Sequence, residues 1–195
     1  MTGLDLWCAA SDGEAAEVRT LLSTEGAQSF INYQGQRGST PLHVAVVIGH
    51  EAVTKQLLSA RCNVNLLADD GRTPLHVAAG FGHEAVTEML LAARCNVDLH
   101  IKGGNTPLHA AAVKGHAAVT NQLIAARCNV DLQEKNGFTA LHLAADNGHE
   151  AVMKQLLAAR CNVGIQANNG ATALQLAERQ GQAGIADTGK QAQKC

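Results

Sequence analysis

The chain has 195 residues, enough for one sizeable domain, and its 46% apolar content supports a packed core. Aromatics are only 3%, so that core has to be assembled from Ala, Leu and Val. A net charge of −2 excludes a chain-wide basic footprint for nucleic acid, and no apolar run approaches the ~18–20 residues of a membrane span.

In chain order, the opening stretch "MTGLDLWCAASDGEAAEV" has neither a basic n-region nor an uninterrupted apolar run. It therefore predicts no cleaved secretory signal. Gly13 and Leu21-Leu22 anticipate the spacing of Gly49 and Leu57-Leu58, with a three-residue insertion before Asn32. Residues 1–34 read as an N-terminal capping unit, in which Trp7, Phe30 and Tyr33 are expected to pack.

From there the chain repeats every thirty-three residues. Thr40-Pro41-Leu42-His43 returns at Thr73 and Thr106, then as Thr139-Ala140-Leu141-His142 and Thr172-Ala173-Leu174-Gln175. Gly49-His50 returns at Gly82, Gly115 and Gly148, then as Gly181-Gln182. The internal units are 35–67, 68–100, 101–133 and 134–166, followed by a C-terminal unit with a tail, 167–195; the whole is expected to form a single domain.

Each unit predicts two short helices. Thr caps a free backbone N–H and Pro follows where no N–H is needed. "PLHVAVVI" gives about two turns, and Gly49 stops it in a left-handed conformation. "HEAVTKQLLSA" places Val53, Leu57 and Leu58 at helical spacing for burial and ends near Ala60. "RCNVNLLADDG" is extended and turn-like, closing on Asp-Gly. Such a unit makes no core alone and has to stack on its copies.

"DGRTPLHVAAGFGHEAVTEMLLAARCNVDL" resembles the ankyrin repeat motif over nearly the whole unit, and the resemblance spans almost the entire chain. It implies an all-α solenoid of antiparallel helix pairs with β-turn or hairpin fingers. The implied work is protein recognition. In the last unit "LQLAERQGQ" replaces the motif histidines, which fits a unit with no successor to tie. Gly189 and Lys190 stand where apolar residues should close its second helix, so that helix is expected to be short or frayed, with a disordered tail to Cys195.

"ARCNV" occurs four times and places Cys62, Cys95, Cys128 and Cys161 in register. Neighbouring helices lie ~8–10 Å apart, whereas a disulfide needs Cα atoms within roughly 7 Å and zinc–sulphur bonds are ~2.3 Å. The expectation is buried filler where the family carries Ala. Unpaired thiols favour a reducing compartment, hence a cytoplasmic or nuclear location. Cys8 and Cys195 are isolated, and Cys195 is the thiol first expected to be exposed.

Arg61, Arg94, Arg127 and Arg160 stand where the family has Gly. A left-handed cost of ~1 kcal/mol is roughly offset by ~0.3–1 kcal/mol from a cation at a helix C-terminus. They are read as solvated helix ends, with a ladder binding an acidic partner as the alternative. His43, His76, His109 and His142 are read as structural hydrogen-bonders, since a repeat distributes them instead of converging them. No catalytic residue, metal site, phosphate loop or cofactor motif is found. Asn65 occupies the position at which some ankyrin repeats are β-hydroxylated; the matching positions are Asp98, Asp131 and Gly164.

Positions that differ between units are free for something other than the fold. They are Gln36, Arg37, Ser39; Asp69, Asp70, Arg72; Lys102, Gly103, Asn105; and Lys135, Asn136, Phe138, which the resemblance sets on finger tips. Val47, Ile48; Gly80, Phe81; Val113, Lys114; and Asp146, Asn147 precede the interhelical Gly, along the implied concave face. Val47, Ile48, Phe81 and Val113 suggest an apolar contact stripe, with Arg37, Asp69, Asp70 and Lys102 selecting orientation. The expected protein is a monomeric, non-enzymatic scaffold for another protein, not for nucleic acid or membrane. The alternative is a regulatory or targeting subunit that positions or inhibits an enzyme.

Overall fold

The structure, a computed structural model, describes residues 2–182. Among the described residues it is all-helical, with an isolated antiparallel bridge between Gln166 and Thr172 in place of strands. The helices are α1 (Gly3–Asp12), α2 (Ala15–Leu22), α3 (Pro41–Ile48), α4 (Glu51–Ser59), α5 (Pro74–Phe81), α6 (Glu84–Ala92), α7 (Pro107–Lys114), α8 (Ala117–Ala125), α9 (Ala140–Asp146), α10 (Glu150–Ala158) and α11 (Ala173–Arg179). Among the described residues no helix is long and apolar enough to cross a membrane.

The local signals act where the sequence puts them. Thr40, Thr73, Thr106, Thr139 and Thr172 each cap the first helix of a unit in extended conformation. Pro occupies the first helical position of α3, α5 and α7. Gly49 ends α3 at φ 84°, a conformation that an L side chain adopts only at a cost.

The chain divides into two compact units, one running to Asn96 and the other from Val97. In the first, α1, α3 and α5 pack in that order, and α2, α4 and α6 pack behind them. In the second, α7, α9 and α11 form one layer, with α8 and α10 behind. Between the layers lie Leu42, Ala45, Val53 and Leu57 in the first unit and Leu108, Ala111, Val119 and Leu123 in the second, each at most 2% exposed. Each such Leu or Val stabilises the folded chain by ~1.5–3 kcal/mol relative to exposure. Fully buried Ala residues at Ala45, Ala78, Ala111 and Ala144 let the first helices approach closely. That is how a core so poor in aromatics still packs.

Two expectations, on Leu58 and Tyr33, need adjustment. Leu58 is half-buried, because the second Leu of the pair turns away from the face that holds Val53 and Leu57; Thr54, one turn from Leu58, is the residue fully buried there. The insertion before Asn32 accommodates a short 3₁₀ turn at Ala27–Ser29. Trp7 packs as expected, half-buried with its indole N–H donating to Ser39 O at 2.9 Å, but Tyr33 is 39% exposed. The reading of a frayed last helix at Gly189 and Lys190, with a tail to Cys195, lies outside the described residues.

Candidate protein-docking surface

The face that carries the variable residues is held by its repeated histidines. At the start of α3 the Thr40 N–H donates to His43 Nδ1 at 3.2 Å, and the His43 N–H donates back to Thr40 Oγ1 at 3.3 Å. This is a capping box with imidazole in the role usually given to Glu or Gln. It recurs at Thr73/His76, Thr106/His109 and Thr139/His142. Since Nδ1 accepts from a backbone N–H it carries no proton, so Nε2–H donates. His43 donates to Arg72 O at 3.0 Å, His109 to Phe138 O at 3.1 Å and His142 to Ala171 O at 3.2 Å. Every recipient lies on the next finger. Burial pushes the pKa of His43, His109 and His142 below the ordinary value, against the opposing pull of those backbone bonds. In the last unit Gln175 keeps the cap, its Oε1 accepting from Thr172 N–H at 3.0 Å.

The Gly-His pairs form a second series. His83 Nε2 lies 3.3 Å from Val47 O, and His149 Nε2 lies 3.0 Å from Val113 O. A third series runs along the loops. Asn32, Asn65, Asp98 and Asp131 each accept, through side-chain Oδ1, the backbone N–H of Asn63, Asn96, Asn129 and Asn162, at 2.8, 2.9, 3.0 and 2.8 Å. Asn65 is half-buried and bonded through its amide oxygen, so the position weighed for hydroxylation is also a structural link. Sequence reasoning missed that link, although Asn or Asp recurring in register was its visible signal.

Cys62, Cys95, Cys128 and Cys161 are free thiols, each 8% exposed. Desolvation pushes their pKa up to about 12, 11, 12 and 12. They are interior padding, with little thiolate at neutral pH. Cys8 is an exposed free thiol; the expectation of an exposed Cys195 lies outside the described residues. Among the described residues no three His, Cys, Asp or Glu side chains are placed to share a metal ion. Arg61, Arg94, Arg127 and Arg160 are exposed and left-handed, with φ of 61°, 57°, 61° and 58°.

In the first unit, Val47, Ile48 and Phe81 are exposed by 42%, 54% and 54%. Phe81 and Val47 are linked through one residue: the Phe81 ring stacks on His83 with centroids 5.8 Å apart, and His83 meets the Val47 carbonyl. Gly80 beside Phe81 is half-buried. The finger turns carry exposed Gln36, Arg37, Asp69, Asp70 and Arg72, while Ser39 is half-buried and its carbonyl holds Trp7. Adjacent fingers are joined by Asp69 N–H to Arg37 O at 2.9 Å. Arg72 Nε donates to Asp70 Oδ2 at 2.7 Å, which holds the Asp70 carboxyl below its usual range.

In the second unit, Lys102, Lys135 and Asn136 are exposed on finger turns and Asn105 is half-buried. Val113 is half-buried, whereas Lys114, Asp146 and Asn147 are exposed at helix ends. Phe138 is half-buried, its ring 5.6 Å from that of His142. It packs as part of its own cap and does not stand free.

Helix pairs that repeat at a fixed interval, each tied to the next through side chains at the same register, define a tandem helical-repeat protein. The family model for ankyrin repeats, in three copies, matches residues 49–126 and 108–188, more than half of the sequence. The chain belongs to the ankyrin repeat family. Comparison with curated proteins returned no match. Ankyrin repeats are in general protein–protein interaction modules.

Proposed function

We propose that this protein is a non-enzymatic docking scaffold that binds a partner protein through its finger turns and the C-terminal ends of the first helices. The observation that carries this reading is the cluster of Val47, Ile48 and Phe81. Three large apolar side chains stand exposed at positions where other units carry Gly80, Lys114, Asp146 or Asn147. The framework tolerates any of these, so it does not require the apolar ones. Exposed apolar side chains grouped on a polar rim are the usual core of a contact surface. Arg37, Asp69, Asp70 and Arg72, exposed on the finger turns that precede the same helices, would set orientation. The surface is already ordered by its backbone bonds, so docking costs little conformational entropy.

The paired substitution Ile48→Ala and Phe81→Ala tests this. Affinity for a captured partner should drop at least tenfold while the thermal midpoint stays within about 2 °C, since both side chains are more than half exposed. An unchanged affinity removes the proposal. The reading includes a monomer in a reducing compartment, cytoplasmic or nuclear, supported by the free buried thiols. Hydroxylation of Asn65 is a separate reading carried by position alone. Intact mass after exposure to an asparaginyl hydroxylase tests it.

A further inference from the structure

The second unit carries four exposed cations on its finger turns and at the ends of its first helices. Lys102 and Lys135 sit on neighbouring finger turns joined by Lys135 N–H to Gly103 O at 2.7 Å. The Lys135 stem runs across the adjacent turn, with its Cδ 3.5 Å from where a Cβ on Gly103 would be. Lys114 and Arg179 are the exposed last residues of α7 and α11. Among the described residues none of the four finds an ion-pair partner, unlike Arg72 with Asp70 or Lys154 with Glu150.

At the helix ends the exposed Asp146 of α9 stands between them in the stack, but on the finger turns, among the described residues, no acid is left over to balance Lys102 and Lys135. Glu134 is 7% exposed and its carboxylate is consumed inside its own finger, accepting from Asn136 N–H at 2.8 Å, Asn136 Nδ2 at 3.1 Å and Phe138 N–H at 3.3 Å. A cation at an exposed helix C-terminus gains ~0.3–1 kcal/mol, which accounts for Lys114 and Arg179 taken singly. It says nothing of Lys102 and Lys135, which stand on turns.

We propose that the second unit binds an acidic, extended segment of the partner protein, with carboxylates meeting Lys102 and Lys135 at the fingers and Lys114 and Arg179 at the helix ends. This rests on the docking reading above and adds the chemistry of what docks. Spacing follows from the stack. Neighbouring repeats step by ~8–10 Å and an extended chain rises ~3.3 Å per residue. Acids about three residues apart therefore match Lys102 and Lys135. Lys114 and Arg179, separated by α9, match acids about six apart on the same estimate. A nucleic acid fits less well. Phe138, already packed on His142, offers no open ring for base stacking.

A random displayed peptide library selected on the full chain tests this. Selected peptides should be enriched in Asp and Glu at three- or six-residue spacing. A synthetic copy should bind at least tenfold more weakly to a variant carrying Lys102→Glu, Lys114→Glu, Lys135→Glu and Arg179→Glu. The four corresponding Gln substitutions, a milder change, should give an intermediate loss with an unaltered unfolding curve. Peptides without acidic enrichment overturn the inference, as does unchanged binding to both variants. Displacement of the peptide by an oligouridylate at lower concentration overturns it in favour of nucleic acid. Uncharged peptides that bind and are lost on Ile48→Ala with Phe81→Ala remove the acidic preference while leaving the docking reading in place. A library that yields no binder at all removes both.

Discussion

At the scale of single residues, three equivalent positions separate what the fold needs from what it tolerates. Thr54, Thr87 and Thr120 are fully buried in α4, α6 and α8, and Met153 takes their place in α10. The Thr87 hydroxyl donates to His83 O at 2.8 Å, but the Thr54 and Thr120 hydroxyls have no partner among the described residues. Val has the same shape without the polar atom. Thr54→Val and Thr120→Val should each stabilise the protein by roughly 1 kcal/mol, and Thr87→Val should not. Urea unfolding of the three variants checks the sign. The cysteines give a second prediction at this scale. Iodoacetamide at pH 8 should label Cys8 quickly and leave Cys62, Cys95, Cys128 and Cys161 unmodified until denaturant is added, as peptide mass spectrometry would show. Cys8 escaped sequence reasoning because it was judged by isolation, not by helical face. Leu6, Ala9 and Ala10 turn inward from α1, and Cys8 lies on the other side.

At the scale of elements, the junction between the two helices of a unit is where substitution should be felt most. Gly115 ends α7 at φ 75°, and a Cβ there would fall 2.5 Å from His149 Nδ1. That histidine bonds Val113 O and cannot withdraw without breaking the link. Gly26 has a similar φ of 82° but, among the described residues, nothing within 4 Å. Gly26→Ala should cost only the left-handed conformation, ~1 kcal/mol. Gly115→Ala should cost that and a displaced imidazole, at least ~2 kcal/mol in total. Equilibrium unfolding of the two variants gives the comparison, and equal losses would contradict this account of the junction. The helix limits themselves were legible in the sequence, because Thr, Pro and Gly act through their own backbone. Phe138 was not. Whether an aromatic next to a cap projects outward or lies on the cap histidine is a rotamer choice that repeat spacing does not encode. The same limit hid the Asn32, Asn65, Asp98 and Asp131 links, whose partners are backbone groups in the following unit.

For the whole molecule, the buried histidines predict a pH dependence. His43, His109 and His142 have folded pKa values below the ordinary 6.5. The unfolded chain therefore takes up protons first as pH falls. The stability from the neutral rings is complete above about 6.5 and is lost as pH drops below it toward the folded values, at no more than ~1.4 kcal/mol per pH unit for each ring. Asp70 and Arg72 act in opposite directions on His43, Glu134 favours the charged form of His109, and among the described residues no charged group is set against His142. His142 therefore offers the cleanest test. His142→Gln, which copies the cap that Gln175 makes, should flatten the pH dependence of urea unfolding between pH 6.5 and 5. An unchanged slope would show that the ring does not titrate with folding. The fold class was readable from thirty-three-residue self-similarity, since each unit repeats the same local instructions. The residues proposed for docking were readable only as positions that break that similarity. Which of them group together depends on turns and ring contacts that no spacing rule supplies.

The His109 bond to Phe138 O and the His142 bond to Ala171 O carry a consequence for how such a chain can grow. Each imidazole reads a carbonyl of the module that follows it, never the identity of the side chain there. A tandem duplication of one module would bring its own donor and its own acceptor, and both new seams would close with the bonds already present. Lengthening the array would then demand no compensating change elsewhere, leaving the tips of the added copy free to diverge.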